Sequence, residues 1–124
     1  MKQFLVVDDS FTIREMVTAC IQAEDKVIAQ AEDGVEALAL AKATNFDFII
    51  TDNNMPNMDG LTLIEELRKL PEYQNTPILM LSTESDPNLK QRGKDAGVTG
   101  WILKPINQVT FSAIVEKVID KFSH

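Results

Sequence analysis

Short apolar runs alternate with longer amphipathic segments along the chain, and this alternation predicts its architecture. Five apolar runs predict β-strands, at residues 4–7, 27–29, 46–52, 78–81 and 101–103. In the segments between and after them, apolar residues recur every three to four positions, which is the spacing of one face of an α-helix. Strands that alternate with helices indicate a parallel sheet, because parallel strands need long crossover connections.

The predicted fold is therefore an α/β, flavodoxin-like doubly wound (βα)5 domain, with a five-stranded parallel sheet in the order 2-1-3-4-5. A length of 124 residues suits one compact domain. We expect residues 1–124 to form a single domain without a second, output domain.

Four helices carry a clear apolar stripe. Ser10 or Asp9 can cap the first helix, Asp33 begins a second that should run to about Thr44, and Asp59 should cap the third. The residues expected to face inward are Ile13, Val17, Cys20 and Ile21 in the first helix, Val35, Leu38 and Ala39 in the second, Leu63, Ile64, Leu67 and Leu70 in the third, and Phe111, Ile114, Val115, Val118 and Phe122 in the last.

The fourth helix, after Pro87, is weak by its sequence. Only Leu89 and Ala96 are clearly apolar there. Gly93 in its interior lowers helix stability by about 0.8–1 kcal/mol relative to alanine. We expect this helix to be the least firmly held.

Composition and charge argue against several classes of protein. A formal net charge of −7 disfavours nucleic-acid binding, which depends on cationic contacts to phosphate. The sequence shows no membrane-spanning stretch and no signal peptide, so we expect a cytoplasmic location without membrane insertion. Cys20 is the single cysteine, and on an apolar stripe it should be a packed core thiol. His124, the only histidine, is assigned no role.

The ends of the predicted strands carry the candidate chemistry. The third strand is apolar on both faces, as expected of a buried central strand, and it ends at Asp52. The first strand ends at Asp8 and Asp9, the fourth at Ser82 and the fifth at Lys104. In the order 2-1-3-4-5 these four strands are neighbours, so their ends should converge on one shallow pocket about 10 Å across.

Three carboxylates in one pocket repel each other unless they protonate or bind a cation. Two unit charges about 4 Å apart repel by roughly 4 kcal/mol at an effective dielectric constant near 20. Oxygen ligands with no histidine or cysteine nearby select a hard ion, and Mg²⁺ fits best because it accepts one or two carboxylates and keeps several waters. A backbone carbonyl just past Asp52 could also coordinate. The alternative is a solvated acidic rim, which the presence of Lys104 and Ser82 disfavours.

A carboxylate nucleophile, Mg²⁺, an ammonium group and a hydroxyl together make a phosphoryl-transfer site. Lys104 would pair with Asp52 or with a phosphoryl group placed there, and Ser82 would donate a hydrogen bond to a phosphoryl oxygen. The site has no histidine base and no arginine finger, so we do not expect fast multiple-turnover hydrolysis.

These motifs resemble the receiver domain of two-component response regulators. The similarity rests on the pair Asp8 and Asp9, on Asp52 within a D-x-N-M-P-x-M-D-G run, on the hydroxyl that ends the fourth strand, and on Lys104 followed by Pro105. Each motif is weak alone, but four in this order and spacing are specific, and they cover nearly the whole chain. The segments that most resemble the single-domain, CheY-like chemotaxis regulators are 82–85 and 100–105.

The resemblance implies a phosphorylation-dependent signalling switch rather than an enzyme, with slow self-phosphorylation and self-dephosphorylation. Asp52 would accept a phosphoryl group from a chemotaxis-type histidine kinase. Asp9, Asp52 and the backbone carbonyl of Asn54 would ligate Mg²⁺, and Asp8 would act mainly through bound water. Lys104 would contact the phosphoryl group.

The resemblance also implies a route from the site to the surface. Ser82 would move toward the phosphoryl group, and Trp101 would swing inward into the space vacated. Asn54 and Glu84 match positions that tune self-dephosphorylation in the family, and polar side chains there could position water. We expect a short-lived phosphate.

Three positions depart from the commonest family pattern, while the cis peptide bond between Lys104 and Pro105 is expected here as in the family. Ser82 and Thr83 stand where threonine and a small alanine are common, and serine lacks the methyl group that helps to hold a rotamer. Coupling between site and surface should therefore be looser. Trp101 replaces the usual tyrosine or phenylalanine, and its bulk argues against full burial.

The implied output surface comprises the fourth helix, the fifth strand and the fifth helix. Lys90, Arg92 and Lys94 oppose only Asp95 there, so we expect an acidic segment of a partner to dock on this face. The resemblance favours the flagellar motor switch protein as that partner, with a phosphatase as another. The protein itself should be a monomer.

Two alternatives stay open, and a third is rejected. The regulator could instead be a phosphate sink or a phosphorelay intermediate. A small Mg²⁺-dependent aspartyl phosphatase is a second class, although such enzymes commonly place Asp-x-Asp after the first strand, whereas Asp8 and Asp9 are adjacent and Ser10 follows. A flavin or nucleotide binder would need a Gly/Ser/Thr-rich loop at this point, and the two acids would repel a phosphate.

Overall fold

The computed structural model describes residues 2–122, which form five strands and five α-helices in strict alternation. The strands are β1 (Lys2–Val7), β2 (Lys26–Ala31), β3 (Phe48–Asp52), β4 (Ile78–Ser82) and β5 (Gly100–Leu103). The helices are α1 (Phe11–Ile21), α2 (Gly34–Ala43), α3 (Gly60–Arg68), α4 (Pro87–Ala96) and α5 (Gln108–Phe122), with a 3-10 turn at Pro71–Tyr73. His124 lies outside the described residues.

All strand pairs are parallel, and the sheet order is β2-β1-β3-β4-β5, which confirms the predicted topology. In this register Val7 pairs with Thr51, and Asp52 pairs with Leu81. The carboxyl ends of β1, β3, β4 and β5 therefore lie side by side at one edge of the sheet.

Helices cover both faces of the sheet, and each face has its own apolar core. On one face α2, α3 and α4 pack against strand residues such as Leu5, Ile49 and Met80. On the other face α1 and α5 pack against Phe4 and Phe48, whose rings stack with centroids 5.1 Å apart. Every residue of β3 is buried, as expected of a central strand. Within residues 2–122, no helix combines the length and apolar character needed to cross a membrane.

The predicted inward face of α2 is wrong in part. Val35 is 52% exposed and Ala39 is also exposed, whereas Ala37 and Ala41 are buried. The helix is apolar at most positions, so its sequence does not single out one stripe, and small alanines let it lie close to the sheet. Leu38, predicted on the same stripe, is half-buried against the core.

The stripe of α5 is confirmed except at its end. Phe111 and Val115 are buried, but Phe122, which was predicted to face inward, is 41% exposed. Phe122 borders an open cavity of about 280 Å³ at the amino edge of the sheet, so only part of its ring is covered.

Arg68, at the end of α3, ties together the loops that lead into β4 and β5. Its Nη2 donates to the carbonyl oxygen of Gly97 at 2.7 Å, and its Nη1 donates to that of Thr76 at 2.8 Å and to that of Tyr73. One side chain thus fixes the amino ends of two neighbouring strands to the same helix.

Candidate functional site

Asp52 ends the central strand and is only 6% exposed. Burial raises the pKa of its carboxyl group above the ordinary value, and the nearby charge of Asp8 adds to that rise. The hydrogen bond from Lys104 acts in the opposite direction, because it stabilises the carboxylate. The charged form of this buried acid is therefore stabilised by a neighbouring cation.

Lys104, just past β5, donates hydrogen bonds to two carboxylates. Its Nζ lies 3.0 Å from Oδ1 of Asp52 and 3.1 Å from Oδ2 of Asp8. Burial alone would lower the pKa of Lys104, but the hydrogen bonds to Asp52 and Asp8 outweigh it and raise that pKa. The contact predicted between Lys104 and Asp52 is present, and the contact with Asp8 adds to it.

The three predicted acids do come together. Asp8, Asp9 and Asp52 each offer one carboxylate oxygen, and these oxygens all lie within 4.8 Å of one another. Asp8 and Asp52 are buried and Asp9 is exposed, so an ion could enter from the solvent side. A cluster of oxygen donors alone fits a hard cation such as Mg²⁺.

The polar residues that follow β1 have different roles at the start of α1. The Oγ of Ser10 accepts from the backbone N–H of Ile13 at 3.3 Å and caps the helix. The backbone N–H of Ser10 itself donates to Oδ1 of Asp8 at 2.9 Å. Because Ser10 is the cap, Asp9 is not used in this way.

Arg14 is a buried site residue that the sequence reasoning missed. Its Nη1 donates to the backbone carbonyl oxygen of Asp8 at 2.6 Å, and its Nε donates to Oε1 of Gln30 at 3.1 Å. Arg14 lies on the same helical stripe as the buried residues Val17 and Ile21, and this spacing was the available signal. Its guanidinium group thus holds the end of β1 through the carbonyl oxygen of Asp8.

Asn53 is a second missed residue, and it fixes the start of the loop that follows β3. Its backbone carbonyl accepts from Gly60 N–H at 3.0 Å, and its Oδ1 accepts from Leu61 N–H at 3.2 Å. A β-carbon on Gly60 would collide with the carbonyl oxygen of Asp52. The start of α3 is therefore packed directly onto the end of β3.

Ser82 and Trp101 are connected through the backbone of Glu84. The Oγ of Ser82, buried at the end of β4, accepts from the N–H of Glu84 at 3.0 Å. The indole N–H of Trp101 donates to the carbonyl oxygen of Glu84 at 3.0 Å. Trp101 is half-buried, in agreement with the expectation that it is not fully enclosed.

The remaining predicted residues lie around the rim. The side chains of Asn54 and Glu84 are exposed, as is Thr83. The peptide bond between Lys104 and Pro105 is cis, as expected.

Two features lie away from the rim. Cys20 is half-buried against the core on the α1 and α5 side, and burial raises the pKa of its thiol, as expected for a packing residue. On α4, Lys90, Arg92 and Lys94 are all exposed, so the local positive charge faces the solvent.

Comparison with known proteins identifies relatives along nearly the whole chain. The family model of the response regulator receiver domain matches residues 4–116. Chemotaxis protein CheY-3 of Vibrio cholerae serotype O1 is 32% identical over 120 residues, which is 96% of this chain and 92% of that protein. Chemotaxis protein CheY of Pseudomonas aeruginosa is 31% identical over 120 residues, which is 96% of this chain and 97% of that protein.

Solved structures agree with this result. The chemotaxis response regulator CheY4 of Vibrio cholerae has a TM-score of 0.89 and 45% sequence identity, over 95% of this chain and 98% of that one. The receiver domain of the Francisella response regulator 1452 has a TM-score of 0.85 and 29% identity, over 98% of each chain.

Proposed function

Because this chain belongs to the response regulator receiver domain family, we propose that it is a chemotaxis signalling switch in which Asp52 accepts a phosphoryl group from a histidine kinase. One observation carries the proposal. The buried carboxylate of Asp52 lies at the end of the central strand, with Lys104 3.0 Å away and Asp8 and Asp9 close by. Such a carboxylate can act as a nucleophile while its surroundings exclude bulk water.

In the transfer, a carboxylate oxygen of Asp52 forms a bond to phosphorus while the bond from phosphorus to the donor's histidine nitrogen breaks. The electron pair of the broken bond stays with the leaving imidazole. Lys104, which donates a hydrogen bond to Asp52, would then stabilise the negative charge on the phosphoryl oxygens. Lys104 therefore acts by position and charge, without giving up its proton.

The acidic cluster would hold Mg²⁺. Asp9, Asp52 and the backbone carbonyl of Asn54 are the proposed direct ligands, and Asp8 acts mainly through water. Bound Mg²⁺ would neutralise charge on the transferring phosphoryl oxygens. Asp8 also accepts a hydrogen bond from Lys104, so it connects the ammonium group of that lysine to the proposed metal site.

The switch would run through the backbone of Glu84. Ser82 accepts from the Glu84 N–H but still has its own proton to donate, and a phosphoryl oxygen on Asp52 is the proposed acceptor. Movement of Ser82 would shift Glu84, whose carbonyl oxygen holds the indole of Trp101. Trp101 would then turn inward, and the surface of α4, β5 and α5 would change.

The partner that reads this surface is proposed to be the flagellar motor switch protein, through an acidic segment. The exposed residues Lys90, Arg92 and Lys94 on α4 supply positive charge on an acidic protein. Complementary charge would speed association and select among partners. The exposed side chains of Asn54 and Glu84 would position water for hydrolysis, so the phosphate should be short-lived and Asn54→Ala should extend its lifetime.

The first experiment uses Trp101, the only tryptophan. Its fluorescence is recorded as Mg²⁺ and then beryllofluoride or acetyl phosphate are added, for the wild type and for Asp52→Asn. We expect a change that needs Mg²⁺ and is lost in the variant, together with a phosphoryl adduct in the intact mass. No change in fluorescence and no adduct would overturn the proposal.

The second experiment tests the output. A motor switch peptide is used to pull down the phosphorylated and unphosphorylated protein, and the variants Lys90→Glu and Arg92→Glu. We expect phosphorylation to strengthen binding and charge reversal to weaken it. Lys42→Glu, an exposed lysine on α2, is the matched control. Phosphorylation without any effect on the peptide would favour a phosphate sink or a relay, and turnover of a small phosphomonoester would favour an aspartyl phosphatase.

A further inference from the structure

The loop between β3 and α3 is attached to the start of α2 at two points. The side-chain Nδ2 of Asn57 donates to Oδ2 of Asp33 at 2.7 Å. The backbone N–H of Gly34 donates to the carbonyl oxygen of Met58 at 3.2 Å. A β-carbon on Gly34 would lie 2.7 Å from that same oxygen, so the loop and the helix are in close contact.

Asn57 has the backbone conformation that this attachment needs. Its φ of 68° makes it the one non-glycine residue with a positive φ among residues 2–122. Asparagine tolerates this left-handed region better than most residues. A glycine would adopt the conformation more easily but could not donate the hydrogen bond, so the side chain has a use beyond the backbone shape.

Asp33 uses both carboxylate oxygens. Its Oδ1 accepts from the backbone N–H of Glu36 at 2.8 Å and caps α2, while its Oδ2 accepts from Asn57. These hydrogen bonds, first the one from Glu36 and then the one from Asn57, lower the pKa of Asp33. The anchor is therefore a carboxylate at neutral pH, and hydrogen bonds to charged groups are the stronger ones.

The two attachments enclose the segment that carries Asn54. Its beginning is held by Asn53, which accepts hydrogen bonds from the start of α3. Its far side is held by Asn57, which donates a hydrogen bond to Asp33 at the start of α2. Asn54 lies between them and is exposed. A loop fixed at both sides loses less conformational entropy when its carbonyl binds an ion.

We infer that Asp33 and Asn57 are positioning residues of the magnesium site, and that their hydrogen bond holds the loop in the shape that presents the Asn54 carbonyl. This inference rests on the proposed function, since it takes that carbonyl as a ligand. Neither residue would touch the ion. Outer residues that orient metal ligands commonly affect affinity by a factor of ten or more.

The test is calorimetric titration of the metal-free protein with MgCl₂. Asn57→Gly keeps the left-handed backbone and removes the donor, and Asp33→Ser keeps a good helix cap and removes the second acceptor oxygen. We expect each change to raise the Kd for Mg²⁺ by about tenfold. The double variant should bind no more weakly than the weaker single variant, because both changes break the same bond.

Two controls separate positioning from charge and from folding. Glu36→Gln removes one negative charge from the same turn of α2 without touching the bond to Asn57, and it should leave the Kd nearly unchanged. Urea unfolding in EDTA shows whether a variant has merely lost stability. An unchanged Kd in both single variants, or fully additive effects in the double variant, would overturn the inference. A wild-type protein that binds no Mg²⁺ would overturn the proposed function and the inference with it.

Discussion

The indole ring of Trp101 packs directly over Gly93 in the middle of α4. A β-carbon built on Gly93 would lie 2.8 Å from Cζ3 and 3.0 Å from Cε3 of the ring. Only because this position has no side chain can the ring stay there while its N–H reaches the carbonyl oxygen of Glu84. The glycine that weakens α4 by its sequence is thus the residue that accommodates Trp101.

Gly93→Ala should displace the ring of Trp101. The change gains about 0.8–1 kcal/mol of helix propensity, but the methyl group takes the space of the ring and should break the bond to Glu84. We expect emission at longer wavelength and stronger quenching of Trp101 by acrylamide in the unphosphorylated protein. Gln91→Ala, at an exposed position of the same helix, serves as the control. Identical quenching in the two variants and the wild type would contradict the packing described.

Ser82→Ala should separate phosphorylation from the surface response. The variant should still form the adduct at Asp52, but most of the fluorescence change of Trp101 should be lost, because the link from Ser82 to Glu84 is gone. Loss of the hydrogen bond should lower the free energy of unfolding by about 0.5–1.5 kcal/mol. Ser82→Thr keeps the hydroxyl and should keep or enlarge the response. A full response in Ser82→Ala would show that the signal takes another route.

Lys104→Met should destabilise the metal-free protein by about 1–3 kcal/mol at neutral pH. Without the ammonium group, Asp8 and Asp52 lose their shared hydrogen-bond donor and repel each other. Mg²⁺ should restore much of this stability and should bind more tightly than to the wild type, because a competing cation has been removed. Denaturation with and without Mg²⁺ measures both effects, with Lys90→Met as an exposed control. Weaker binding of Mg²⁺ to the variant would contradict this account.

Asp52→Asn should stabilise the metal-free protein in a pH-dependent way. Burial raises the pKa of Asp52 in the folded protein above its ordinary value of 3.8. Between pH 3.8 and the pKa of the folded state, the folded protein therefore binds more protons than the unfolded chain. Stability from this group is present below pH 3.8 and is lost as the pH rises through the folded pKa. The gain in the variant should therefore widen from about pH 4 upward and then level off. Urea denaturation in EDTA across this range measures it, and a constant difference would count against the raised pKa.

The strand order and the proximity of the three carboxylates were both predictable, because both follow from one rule. A parallel sheet in the order 2-1-3-4-5 places the ends of four strands at one edge, so residues that follow apolar runs must approach each other. This topology alone was enough to predict that the site brings together Asp8, Asp9, Asp52 and Lys104. The side on which α2 packs was not predictable, because Val35 and Ala37 are both apolar and only contact with the sheet selects between them.

Contacts between distant loops could not be derived from local patterns. Asp33 was assigned as a cap, and nothing in its neighbourhood indicates a bond to Asn57, 24 positions later. Tyr73 was overlooked as well, although its buried hydroxyl lies 2.6 Å from the carbonyl oxygen of Ala41 and 2.7 Å from that of Thr44. Both contacts depend on where the helices lie, and a periodic pattern reports only which way each helix faces.

The side chain of Arg68 fixes the loops at the amino ends of β4 and β5, whereas the carboxyl ends of these strands carry the site residues. The strands that carry Ser82 and lead into Lys104 both enter the sheet from loops held by this one guanidinium group. If phosphorylation of Asp52 rearranges these strands, we expect smaller displacements at their amino ends, which Arg68 holds, than at their carboxyl ends.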